Sequence, residues 1–414
     1  MNNNPFHRIP KLFKRKRIES TVELGETFDA TVKDINVSGE GVVTHSSGKT
    51  FFISGVWSNE RIRVEVIEEQ GSYGYARLVE VLEAHPARRA APCVYHGACG
   101  GCAWMFVGEE AQIQQKQHIV QHTLNTLEIK NILPIWSSEK TLGYRTRAQL
   151  KSDGAFLGMV SSSASAGSSS SHRLIDIEDC VALTDINRNT LKALRKTLPN
   201  PRWRQKARRT KKHNNKPWVT LNIDEQHREN EVQVNERLPF SQANANQNEK
   251  MRLWLKEQLS SQSAVCPSLD APVLELFCGS GNFTEILSNF GYTDIVAVEA
   301  AEPAVGELKL RGLPGVDARC LDLYQAHSFE ALKDVLSNTR ILVMDPPRDG
   351  VRYLKTLLSS MQNLRQVYYI SCDINTFCRD AKVMQAAGFI CQQVQPVDLF
   401  PQTAHVELLA CFQK

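Results

Sequence analysis

The residues best suited to chemistry lie in the second half of the chain. An apolar run ending at Leu276-Phe277 leads into Cys278-Gly279-Ser280-Gly281-Asn282, and glycines at a strand-to-helix turn let the backbone approach a ligand closely. Glu299 closes a second apolar run, IVAVE, about twenty residues later, where a carboxylate can accept from ribose hydroxyls. Asp322 follows a third run, ARCLD. Thr284 stands where a nicotinamide-binding G-x-G-x-x-G turn would have its last glycine, and Glu275 gives the turn the E-x-x-x-G-x-G form of methyltransferases. S-adenosylmethionine carries no phosphate and makes no demand on the first helical turn, so this pattern points to it rather than to a dinucleotide.

Asp345-Pro346-Pro347-Arg348 ends a fourth apolar run and Cys372 ends a fifth. In open α/β sheets such strand ends face the ligand crevice. An exocyclic amine as methyl acceptor favours an aromatic residue behind the two prolines; Arg348 stands there instead. A cysteine at a strand end is most often a small buried hydrophobe, but its company here suggests a nucleophile. Carbon 5 of uracil is too poor a nucleophile to take a methyl group unaided. A thiolate that adds to carbon 6 creates an enolate whose carbon 5 can. The carbon 5 proton must then leave to a base. Glu407, in DLFPQTAHVELLACF beside apolar Val406, Leu408 and Leu409, is the candidate, with His405 as its rival.

Cys93, Cys99 and Cys102 form a second grouping, CVYHGACGGC. Spacing alone favours zinc, although C-x5-C is wider than the usual zinc knuckle and Gly100-Gly101 permits a tight wrap around a larger body.

The elements that position these groups can be read more coarsely. The chain has 414 residues, 42% of them hydrophobic, enough for two or three cores. With 49 basic and 45 acidic side chains its net charge is +4, which excludes a disordered polyelectrolyte. No apolar run is long enough to span a bilayer and the N-terminus lacks a signal peptide's apolar stretch, so a soluble cytoplasmic protein is expected. In a reducing compartment grouped cysteines read as a metal or cluster site before disulfides. Residues 1–20 form a basic arm. Residues 21–88 hold five short alternating runs that suggest a small OB-like barrel, the type that binds oligonucleotides. Residues 89–240 hold a helix over 108–128, with Ile113, Ile119, Val120, Leu124 and Leu127 as its apolar stripe, then strand-like pieces and a Ser-rich loop. Residues 241–414 alternate strands and helices, the signature of a parallel sheet covered by helices. The basic arm and a second basic run, 201–216, suit nucleic-acid phosphates.

Together these features resemble the RNA uracil-C5 methyltransferases, in particular the iron–sulfur type that modifies bacterial 23S ribosomal RNA, along most of the chain. DINVSGEGVVTHSSGKTFFISGV resembles a TRAM domain. Cys93, Cys99 and Cys102, with Cys180 in IDIEDC, match that family's [4Fe–4S] ligands. PFSQAN implicates Gln242, and ELFCGSGNFT implicates Phe277 and Asn282, with Glu299, in holding the cofactor. DPPR, SCD and FPQTAHVE match the catalytic signatures, giving Asp345, the nucleophile Cys372 and the base Glu407. The resemblance implies an α/β class I (Rossmann-like) S-adenosylmethionine-dependent methyltransferase domain, an N-terminal OB-like barrel and a small α+β central domain. It also implies a structural [4Fe–4S] cluster and a monomer that flips a uridine out of 23S rRNA, with no DNA or membrane partner. Two departures bear on the target: Asp373-Ile374 replaces the family's frequent Asn-Pro after the nucleophile, and the stretch from Cys180 to Gln242 is short. Transfer RNA is the alternative target, against which the barrel and the cysteines count. A non-catalytic RNA-binding protein would be marked by loss of Cys372 or Glu407, and both are present.

Overall fold

The computed structural model describes residues 22–161, 173–205, 217–236, 238, 241–261 and 268–414. The basic arm, nearly all of the Ser-rich stretch, residues 206–216 of the second basic run and Pro239-Phe240 of PFSQAN lie outside them. The chain divides into two compact units, residues 1–34 with 40–85, and 35–39 with 86–414.

The smaller unit is built from β1 (Thr27–Thr31), β2 (Asp34–Ile35), β3 (Gly41–Thr44), β4 (Thr50–Ile53), β5 (Arg61–Gln70) and β6 (Tyr73–Glu83), in the sheet order β1-β5-β6-β4-β3-β2. Alternation on β5 turns Ile62, Val64 and Val66 inward and Arg61 and Arg63 outward. Just beyond β1 the N–H of Lys33 donates to Val42 O of β3 at 2.9 Å, so the sheet curls round until its ends meet as a barrel.

The larger unit opens with α1 (Glu109–Leu124), shorter than the helix expected over 108–128. Its buried face includes Gln112 and Lys116 beside Ile119, Val120 and Leu124, whereas Ile113 is only half-buried. Next come β7 (Arg147–Ser152), β8 (Leu157–Val160), β9 (Leu174–Asp176), α2 (Asp185–Arg195) and β10 (Val219–Asp224). These strands form an antiparallel sheet, β10-β7-β8-β9, on a core that includes Leu150, Leu157, Leu191 and Leu221.

After α3 (Ala245–Ser261) the alternation becomes regular: β11 (Val273–Leu276), α4 (Thr284–Phe290), β12 (Ile295–Glu299), α5 (Glu302–Leu310), β13 (Val316–Cys320), α6 (Lys333–Asn338), β14 (Ile341–Met344), α7 (Leu354–Ser360), β15 (Gln366–Ser371), α8 (Ile374–Ala386), β16 (Ile390–Val397) and β17 (Glu407–Gln413). The sheet order is β13-β12-β11-β14-β15-β17-β16, parallel from β13 to β15 and antiparallel at β17. Every residue of β11, β14 and β15 is buried, as helices on both faces require. Among the described residues no helix is long and apolar enough to cross a membrane.

Candidate active site

Strand order reverses between β11 and β14, the point at which open α/β sheets present a crevice at their carboxyl edge. A cavity of about 1110 Å³ occupies it. At one end is the turn after β11, where Phe277, Gly279 and Gly281 all have positive φ (63°, 55° and 94°). The left-handed region is uncommon for a bulky side chain, so Phe277 is held against its backbone preference. A Cβ on Gly281 would lie 2.5 Å from Leu308 Cδ1; at Gly279 it would meet open space, so this turn faces the cavity with bare backbone.

The carboxylate of Glu299, at the end of β12, accepts from the N–H groups of Gly279 (3.1 Å), Ala300 (2.8 Å) and Ala301 (2.9 Å). Asn282 and Asn248 of α3 exchange side-chain hydrogen bonds at 2.9 and 3.1 Å. Arg252 of α3 donates to Asn282 O, and Arg311 donates to Ser280 O (3.0 Å) and Gly281 O (3.1 Å). Both guanidiniums meet Glu285, at 2.6 and 2.9 Å. The turn is thus gripped by its carbonyls. Asp322 lies exposed on the rim and accepts from Tyr324 N at 2.9 Å; the Tyr324 ring sits 6.0 Å from that of Phe277.

The reactive end follows from strand direction. β15 runs toward the crevice and β17 runs away from it, with Ser371 opposite Leu408 in the ladder, so the next residue of one strand and the preceding residue of the other, Cys372 and Glu407, both reach the same edge. Asp345 arrives there from β14. Burial, then the Glu407 and Asp345 carboxylates, push the Cys372 thiol up to about 12, while Arg348 acts in the opposite sense. Glu407 is 3% exposed, and burial and Asp345 hold it well above the usual carboxylate range. Burial and Glu299 raise Asp345 to about 7. Arg348 Nη2 lies 2.9 Å from His405 Nε2. Desolvation and then Arg348 lower His405, which stands exposed at the rim, whereas the buried Glu407 is shifted upward, so Glu407 is the stronger base of the two. The carboxylate of Asp373 accepts from Asn375 N (3.0 Å) and Thr376 N (2.9 Å), capping α8, so this departure from the expected Asn-Pro orders the turn behind Cys372.

All eight sequence-predicted residues of this region, Gln242, Phe277, Asn282, Glu299, Asp322, Asp345, Cys372 and Glu407, line the one cavity. Sequence reasoning missed Asn248, Arg252, Arg311, Tyr324 and Phe400, which line it too. Asn248, Arg252, Arg311 and Tyr324 lie in helices and loops with no local pattern to announce them, whereas Phe400 opens the FPQTAHVE signature itself.

Cys93, Cys99, Cys102 and Cys180 line a second cavity, of about 590 Å³, with Arg145 and Lys151 on its wall. All four are free thiols, and burial raises Cys99, Cys180 and most strongly Cys102, to about 12. Among the described residues no three His, Cys, Asp or Glu side chains are grouped as they would be around a single metal ion.

Comparison with known proteins points the same way. The profile of the tRNA (uracil-5-)-methyltransferase family matches residues 172–311. An uncharacterized RNA methyltransferase of Nitrosomonas europaea is 34% identical over 400 residues, covering 94% of this chain and 97% of the relative. The 23S rRNA (uracil(1939)-C(5))-methyltransferase RlmD of Halomonas elongata is 30% identical over 441 residues, covering 92% of this chain and 88% of the relative. Among solved structures, the Pyrococcus abyssi tRNA (uracil-54, C5)-methyltransferase, in complex with S-adenosyl-L-homocysteine, shares the fold with a TM-score of 0.63 at 16% identity, over 93% of this chain and 100% of that one.

Proposed function

The chain belongs to the RNA uracil-C5 methyltransferases, and from that premise we propose that it methylates a uridine of 23S ribosomal RNA through a covalent bond from Cys372 to carbon 6. The methyl group comes from S-adenosylmethionine, which supplies it as an electrophile on a sulfonium. Residues of the cavity fit that molecule: the open backbone at Gly279, the gripped turn through Asn282, and carboxylates at Glu299 and Asp322 suited to hydroxyl and amine groups. A volume of about 1110 Å³ exceeds the roughly 300–1,000 Å³ of an ordinary ligand pocket, which leaves space for a flipped nucleotide.

The side-by-side arrival of Cys372 and Glu407 at the crevice edge carries the reading. Cys372 Sγ gives up its proton to solvent in the open cavity and bonds to carbon 6 of the ring, and the pair from the 5,6 double bond moves toward the carbonyl at carbon 4. Arg348 favours the thiolate and opposes the carboxylates that disfavour it. Once carbon 5 carries both methyl and hydrogen, Glu407 removes that proton, the double bond returns and the carbon–sulfur bond breaks. A carboxylate raised by burial is a stronger base than an ordinary one, which suits this step. RNA containing 5-fluorouridine has no proton to lose and is expected to trap a stable adduct; its absence with the correct RNA sinks the mechanism.

The fold alone does not select ribosomal over transfer RNA, since a transfer-RNA enzyme shares it over 93% of this chain. The ribosomal relatives at full length favour the former. Nucleoside mass spectrometry of separated rRNA and tRNA from a deletion strain decides. We assign Cys93, Cys99, Cys102 and Cys180 to a [4Fe–4S] cluster: four free thiols around a cavity wider than a single ion suit that larger body and its soft-ligand preference. We read the N-terminal barrel as a TRAM-like domain contacting RNA, and the enzyme as cytoplasmic.

A further inference from the structure

The segment joining β16 to β17, residues 398–406, is neither strand nor helix, yet it delivers Phe400, His405 and then Glu407 to the cavity. Five consecutive carbonyls in it are held from outside. Asp398 O accepts from Gln247 Nε2 (3.0 Å), Leu399 O from Asn244 Nδ2 (3.2 Å), Phe400 O from Lys116 Nζ (3.2 Å), Pro401 O from the Tyr144 hydroxyl (3.2 Å) and Gln402 O from Trp104 N (2.9 Å). Gln402, at φ 67°, is held further by Gln112, which accepts from its backbone N–H (3.1 Å) and donates to its Oε1 (2.9 Å).

Lys116 is the unusual member. Its side chain is 0% exposed, and Nζ lies 2.5 Å from Asp398 Oδ1, itself on a side chain 5% exposed. An apolar pair of similar volume would join α1 to this segment at least as strongly, because taking two charges out of water offsets most of their attraction. What the ammonium adds is direction. Donating both to the Asp398 side chain and to Phe400 O, it fixes the segment nine and seven residues before Glu407, and Asp398 directly follows Val397, the residue opposite Glu407 in the β16–β17 ladder.

We propose that Lys116 is a positioning residue that, through Asp398 and Phe400 O, sets Glu407 where it can take the carbon 5 proton. The proposal rests on the covalent mechanism above and adds a residue of α1, remote in sequence, to the proton-removal step alone.

Misplacing the base leaves attack by Cys372 and methyl delivery intact but slows elimination, so the covalent protein–RNA adduct persists on ordinary uridine RNA. Lys116→Met is expected to lower kcat by about 10- to 100-fold, as small misplacements of catalytic groups do. KM for RNA should stay unchanged, and a denaturation-resistant adduct should accumulate, as is also expected of Glu407→Gln. A purely structural role predicts instead that adduct and turnover fall together with the melting temperature, and that result overturns the proposal, as does wild-type turnover in a folded Lys116→Met. Should Lys116→Met fail to fold, Lys116→Met/Asp398→Leu removes both charges, and the same kcat and adduct measurements decide. A wild-type enzyme giving no adduct with 5-fluorouridine RNA overturns the mechanism itself; a wild-type adduct with no accumulation in a folded Lys116→Met overturns only the positioning.

Discussion

Cys372 and Cys102 are both half-buried thiols pushed up to about 12, but their company differs. Around Cys372 burial is reinforced by two carboxylates, Glu407 and Asp345. Around Cys102 it is reinforced by other thiols, Cys180 and Cys99, and relieved by Arg145. A thiol among carboxylates is equipped to exchange protons; a thiol among thiols is equipped to surrender them to a soft metal. The scaffolds differ as well. The catalytic cavity is imposed by sheet topology, strand ends meeting at one edge, whereas the cysteine cavity carries its thiols on turns between residues 93 and 102 and on the loop before α2, set against β7 and β8. The first can keep its shape alone; the second is expected to depend on what it holds.

The sharpest way to break that contrast is to exchange roles. Cys372→Ala should reduce methylation by at least ~10⁴-fold and abolish the 5-fluorouridine adduct, with melting temperature and iron content unchanged. Activity surviving that substitution would leave the catalytic cavity without its nucleophile.

Acid–base behaviour separates the two cavities next. Glu275 of β11 is 1% exposed, its Oε2 has no hydrogen-bond partner among the described residues, and burial raises it to about 8, beside Asp345 at about 7. Both groups keep protons in the folded chain that the unfolded chain has released, so their stabilising contribution is complete below about pH 4 and is lost as pH rises through 7 and 8. In the other cavity burial moves Cys99, Cys102 and Cys180 upward, away from that window. Stability of the protein without cofactor should therefore fall from pH 5 to 8, and Glu275→Gln should remove up to about 1.4 kcal/mol per pH unit of that slope. An unaltered slope in chemical denaturation would contradict this.

Cys102→Ser should act in the opposite sphere. Iron content and visible absorbance are expected to drop, and stability to fall by about 3 kcal/mol, the linkage expected of a ligand held well above its Kd. The protein that remains folded should still form the 5-fluorouridine adduct. Loss of adduct in proportion to iron would show the two cavities to be one machine.

Much of this was legible in sequence because parallel strands buried on both faces must be apolar, and each first polar residue after such a run falls at the crevice edge. Glu299 and Asp345 were found that way, and Cys372 one position further on, after Ser371. Glu407 was found as a carboxylate too expensive to bury without purpose, but the reversal of β17 that brings it beside Cys372 is a matter of pairing. The support behind it was hidden: Gln112 and Lys116 fall outside the apolar stripe expected of this helix, and their partners stand 290 and 282 residues away. Helical periodicity favoured Ile113 instead, because it counts apolar residues and cannot weigh a buried ion pair.

The smallest effect tests how rigid the topological cavity is. Arg311 follows α5 and holds the carbonyls of Ser280 and Gly281 while meeting Glu285, which Arg252 also meets. Its side chain is about a third exposed, so its hydrogen bonds are worth less than buried charged ones; about 1–2 kcal/mol is a fair share. With Arg252 still on Asn282 O, the turn of Arg311→Ala should loosen rather than collapse. The expected result is a rise of roughly 5- to 30-fold in KM for S-adenosylmethionine, with kcat and KM for RNA little changed, because Cys372 and Glu407 are carried by other strands. A fall in kcat of the same size would mean that the turn shapes the reacting geometry and not only the affinity. The strand ends would then not be the independent supports that the sheet topology makes them.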